Sequence, residues 1–178
     1  MALKKLGIVS FTVLSFILLC GCIKNKQAIQ LKKIIDEKED QTTAILIGEK
    51  GMESAKLNYL IEGDYDSALL VVDQQETAFN VILKDLKNVN VVGIKKGKEL
   101  QQAEIDYYTA LKNLYLFSKK EVEQQKKIEQ EKNEKKFRIA IDERYKLALD
   151  KQRLYQLVHK ADDKRNRIKK QFEVENSL

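Results

Sequence analysis

Not one proline interrupts the 178 residues of this chain, and only seven residues are glycine. Proline breaks a helix because it lacks the amide donor and its ring meets a carbonyl of the preceding turn. Glycine weakens a helix through its backbone freedom. A chain with so few breaks reads as long helices joined by a few turns marked by Gly or Asn. Lys, Glu, Gln, Leu and Ala dominate the second half, and these residues lose little side-chain freedom in a helix. Hydrophobic residues make up 43% of the chain, enough for a core, so wholesale disorder is not expected. The length suits one domain.

The apolar spacing agrees. Ala28, Leu31, Ile34 and Ile35 recur at helical steps, followed by Thr42, Ile45 and Met52, with a break expected near Gly48 and Gly51. Ala55, Tyr59 and Leu60 carry the pattern toward Gly63. Asp64-Tyr65-Asp66-Ser67 has the carboxylates and hydroxyl that satisfy the free amides of a first turn. Beyond it, Leu69, Val72, Phe79, Ile82, Leu83 and Leu86 form a stripe that ends at the loop candidate Asn88-Val89-Asn90-Val91-Val92-Gly93. A further helix is predicted from near Lys98, with Leu100, Ala103, Tyr107, Ala110, Leu114 and Phe117 on one face and Leu111 and Tyr115 widening it. A face this wide suits more than one neighbour. Lys119 to Lys136 is nearly all Lys, Glu and Gln, an exposed charged helix with a candidate break at Asn133. The last stretch carries Phe137, Ala140, Ile141, Tyr145, Ala148, Tyr155 and Val158 on one side, with Leu147, Leu154, Leu157 and Ala161 alongside. It then turns basic at Lys164, Arg165, Arg167, Lys169 and Lys170, with little left to pack. The fold class predicted is all-α: an antiparallel bundle or extended hairpin of three to four long helices.

The N-terminus has its own organisation. Lys4 and Lys5 precede an uncharged apolar run from Leu6 to Leu19, and Leu19-Cys20-Gly21-Cys22 leads into polar sequence at Lys24. The run is shorter than the ~20 residues a spanning helix needs. It has the form of a secretory signal, positive end first. Leu19-Cys20-Gly21-Cys22 closely resembles the lipobox of bacterial lipoproteins, in which a Leu stands three before the modified Cys and a small residue directly before it. Cys20 fits less well, because Leu19 would then occupy the small position. The resemblance implies cleavage between Gly21 and Cys22 by signal peptidase II and a diacylglyceryl thioether on Cys22. The freed amine of Cys22 can take an N-acyl chain as well. It places residues 1–21 as signal peptide, 22–27 as a lipidated tether and 28–178 as the helical domain. Two or more acyl chains anchor stably, whereas one binds marginally. The location implied is extracytoplasmic. Ile23, rather than Asp, follows the modified Cys, which in two-membrane bacteria favours the outer membrane; in one-membrane bacteria the site is the outer leaflet of the cell membrane. With Cys22 lipidated, no thiol is left for an internal disulfide.

No catalytic constellation marks the chain. His159 is the only His, and a triad would need a nucleophile and an orienting acid around it. A zinc site would have to pair that one imidazole with carboxylates alone. Position 156 is Gln, so the Glu-x-x-His pairs of a di-iron bundle are absent. Neither a phosphate-cradling Gly-rich loop nor any other cofactor or metal motif stands out. Gly63 to Leu69 resembles the turn of a tetratricopeptide repeat, but no second copy follows, and Gln75 stands where that repeat packs a small residue. Tyr107, Tyr108 and Tyr115 read as core and boundary packing. The formal charge of +6 is a modest excess, and two of its positives, Lys4 and Lys5, lie in the segment expected to be removed. Lys164, Arg165, Arg167, Lys169 and Lys170 are the candidate contact to an anionic surface. The function expected is a non-enzymatic binding or scaffolding module of the cell envelope, with a surface-displayed lipoprotein contacting host or competitor molecules as the alternative. The partners expected are the membrane through the lipid, and an envelope protein or anionic polymer. The helices would also allow a homo-oligomer. Nucleic acid is a poor partner for an exported chain.

Overall fold

The computed structural model describes residues 26–44, 46–47 and 51–178. Five helices pack against one another, with no strand among the described residues. Helix α1 covers residues 26–44, α2 Met52–Ile61, α3 Tyr65–Asn88, α4 Gly97–Gln130 and α5 Glu134–Asn176.

Side-chain pairs fix the direction of each helix. Lys38 with Asp85 (2.6 Å) and Gln75 with Glu53 (2.5 Å) set α1 and α2 antiparallel to α3. Lys112 with Glu76, Lys119 with Asp73 and Lys126 with Asp66 set α3 against α4. Lys127 with Glu143, Lys151 with Glu121 and Lys164 with Asp106 do the same for α4 and α5. Lys32 with Glu173 and Asp36 with Lys169 then close α5 onto α1. Helices α1 and α2 together make one arm, so the molecule is a four-armed antiparallel bundle. The predicted bundle of three to four long helices holds, in its closed form.

The local signals that start and stop these helices are short-range ones. Asp64 caps α3: its carboxylate accepts from the Ser67 amide at 3.0 Å, and this bonding holds its pKa below the usual value. Asn133 caps α5 by accepting from the Lys136 amide at 3.1 Å. Between α3 and α4 the loop Val89–Lys96 turns at Gly93, whose φ of +80° suits glycine. The break near Gly51 is present, with Gly51 as the extended residue before α2; Ile45 and Gly48 lie outside the described residues.

The main core joins Ala28, Leu31 and Ile35 of α1 with Phe79, Ile82, Leu83 and Leu86 of α3, Leu100 and Tyr108 of α4, Ile94 and Phe172. Tyr107 and Tyr115 pack against it, and the Tyr115 ring lies 5.6 Å from that of Phe79. The expected stripes of α1, α3 and α4 are therefore largely those observed. Tyr65, Ala68 and Val122 make a smaller cluster at the other end, with Leu60 and Leu69 against it.

Three expectations need correction. First, Lys119 to Lys136 breaks at the candidate Asn133, but it is not a free exposed segment: α4 ends at Gln130, α5 starts at Glu134, and the two fold back on each other. Gln124 donates to the Ala140 carbonyl at 2.7 Å across this hairpin. Second, the apolar face expected for α5 is mostly open. Of those residues only Ala140 is buried, while Phe137, Tyr145, Ala148, Tyr155 and Leu157 are exposed. The reason is the number of neighbours: α5 packs on α4, with no comparable contact to α2 or α3. Third, the C-terminal stretch expected to have little to pack carries Phe172, which is fully buried against α1.

Candidate functional site

Two places concentrate chemistry. The first is a buried charge cluster where α1, α4 and α5 meet. Glu104 is wholly buried in the apolar face of α4. Arg165 reaches in from α5, with Nη1 2.7 Å from Glu39 and 3.8 Å from Glu104, and Nη2 2.8 Å from Asp162. Its guanidinium also lies 4.1 Å from the centre of the Tyr107 ring, a cation–π arrangement. Neither Glu104 oxygen has a hydrogen-bond partner among the described residues. Burial pushes the Glu104 carboxyl up to about 7, against the pull of Arg165. Burial also raises the Tyr108 phenol. Lys169 beside this cluster bonds Asp36 (2.9 Å) and Glu39 (3.4 Å). Burial opposes its charge, yet these two carboxylates hold its pKa above the ordinary lysine value.

The second place is a groove of about 650 Å³ between α2, the start of α3 and α5, floored by α4. Val122, Tyr65 and Ser118 form its buried floor, and Leu60, Ile61, Leu147 and Ala148 supply apolar walls. Its charged residues bond their neighbours. Lys56 meets Glu53 at 2.7 Å and the Ser118 hydroxyl at 3.2 Å, and Lys151 meets Glu121 at 2.6 Å. Gln75, wholly buried, donates to Glu53 from beneath. Its amide oxygen has no partner among the described residues.

The candidate residues read from the sequence divide. Gly21 and Cys22 lie outside the described residues. Arg165, Lys164 and Lys169 turn to carboxylates of the bundle itself, Lys164 to Asp106 at 2.7 Å. Arg167 and Lys170 are exposed and pair with no carboxylate among the described residues. The structure thus does not assemble the five basic residues into one free patch. His159 is exposed beside Lys160, Asp163 and Arg167. Glu104, Gln75 and Lys56 were not foreseen. The available signal was a polar residue on an apolar stripe: Glu104 sits between Leu100 and Tyr108, and Gln75 between Val72 and Phe79.

No group of three His, Cys, Asp or Glu among the described residues could hold a metal ion, and no helix among them is long and apolar enough to cross a membrane. No protein-family model, curated protein or solved structure matches the chain.

Proposed function

We propose that the chain is a lipid-anchored extracytoplasmic lipoprotein whose bundle acts as a non-enzymatic binding or scaffolding module in the cell envelope. The observation that carries this reading is Leu19-Cys20-Gly21-Cys22 placed after a lysine pair and a short apolar run. The bundle supports it in two ways. Residue 26 is already helical, so no more than three residues, 23–25, separate the bundle from Cys22. Lys56 and Lys151 of the groove are held by Glu53 and Glu121, which suits recognition better than acid–base work. Glu53, Glu121 and Glu129 are balanced in that groove by Lys56, Arg144 and Lys151, and its apolar walls suit the apolar face of a protein helix.

The test is expression of the full chain and of Cys22→Ala in a bacterial host, followed by fractionation and the mass of the mature N-terminus. The reading expects an acylated Cys22 at the N-terminus in the membrane fraction, lost in the variant. An uncut N-terminus in the membrane, or a soluble cytoplasmic product, would overturn it. Protease shaving of intact cells then separates the envelope interior from surface display.

A further inference from the structure

One end of the bundle gathers the start of α1, the end of α3, the start of α4 and the end of α5. Ala28, Leu86, Ile94, Leu100 and Phe172 share its core. Gln101 of α4 ties to the Leu86 and Val89 carbonyls, and Asn176 of α5 ties to the Lys95 carbonyl at 3.0 Å. This end is basic. Lys26, Lys84, Lys87, Lys95, Lys98 and Lys170 are exposed here and form no ion pair with the described residues. The acids Asp85, Glu99 and Glu173 are held by Lys38, Lys96 and Lys32, leaving Glu175 as the main counterweight. At the tip of the connecting loop, between the Asn90 side chain that caps its amide and Gly93, Val92 is 81% exposed.

The leash fixes what this end can meet. From Cys22 to residue 26 a fully extended chain spans at most ~14 Å. If Cys22 is lipidated, which is the reading above, these lysines lie within about a Debye length or two of the headgroups, ~8 Å each at physiological salt. We propose that this end of the bundle is a membrane-facing surface that docks on anionic phospholipid headgroups, with Val92 entering the interface. Lysine ammonium groups meet lipid phosphates, and the apolar tip gains from leaving water. The anchor then holds the bundle upright, with α4, 34 residues and so ~50 Å long, carrying the groove to the far end.

The test uses the lipidated mature protein carrying Val92→Cys. With Cys22 acylated, the new thiol is the only one, and it takes an environment-sensitive fluorophore. The protein is reconstituted in vesicles of phosphatidylcholine alone and of phosphatidylcholine with phosphatidylglycerol. The expected result is a blue shift, and quenching by a lipid-borne quencher, with phosphatidylglycerol only. Both should fade at high salt. In the Lys87→Glu, Lys95→Glu, Lys98→Glu variant the docked-to-undocked ratio should fall at least fivefold per residue changed. An acylated protein that floats with both vesicles while its probe stays water-exposed overturns this inference and leaves the anchor standing. A chain without acyl mass on Cys22 overturns both.

Discussion

The two ends of the bundle are built from the same kinds of side chain and bury them differently. Toward the start of α1, four arms overlap, and Leu31, Ile35, Leu86, Leu100, Tyr108 and Phe172 are sealed from solvent. Toward the α4–α5 turn, α2 is only ten residues long, and Ile61, Phe137, Tyr145 and Leu149 face water. Apolar content does not decide this. What decides it is how many helices surround a position: α5 meets both α4 and α1 near Phe172, but chiefly α4 near Tyr145. The closed end can therefore carry stability, and the open end is left with a groove and surface for a partner. An exposed apolar surface of this kind commonly marks interaction.

The sharpest way to break the comparison is truncation in each half. Phe172→Ala should cost about 3–5 kcal/mol in denaturant unfolding, because it empties a sealed site. A loss comparable to that of a surface change would mean that α5 does not dock on α1.

Glu104 probes the closed half through pH. Its carboxyl ionises at about 7 in the fold, against 4.5 when free. Between those values the folded state binds more protons than the unfolded chain. The contribution of Glu104 to stability is therefore complete below 4.5 and lost as pH rises through about 7. Glu104→Gln should flatten that fall and gain roughly 3 kcal/mol at about pH 8, since one pKa unit is worth ~1.4 kcal/mol. Urea melts of both proteins across pH check this, and an unchanged curve would place the carboxyl in water.

In the open half, Asn133→Ala removes the α5 cap and should cost about 1 kcal/mol. Hydrogen exchange should rise at residues 134–137 and hardly elsewhere. Smallest of all, Tyr145→Ala, at a side chain 68% exposed, should stay within about 0.5 kcal/mol. A cost near that of Phe172→Ala would show that the open half is sealed after all.

What the sequence made legible follows the range of the interaction. The caps at Asp64 and Asn133 and the stripe from Leu100 to Leu114 depend on neighbours within a few residues, and they were readable. Arg165 and Phe172 depend on α1, which lies at the far end of the chain. Their setting among Lys, Asp and Glu resembles a solvated helix end, so the basic stretch read as surface when three of its members bond carboxylates of the bundle. The stripe of α5 was visible as a period, but a period does not say how many partners a helix has. The stop of α2 was legible in Gly51, Gly63 and Asp64, but the groove also needed α5 to lie across from it, and no local signal announced that.

The most direct measurement of the unequal halves is hydrogen exchange of the purified mature protein, read by mass spectrometry along the chain. The slowest amides are expected in α1, residues 79–88, residues 100–114 and residues 161–172, with α2 and residues 134–150 exchanging orders of magnitude faster. Uniform protection from end to end, or slowest exchange around the α4–α5 turn, would contradict it.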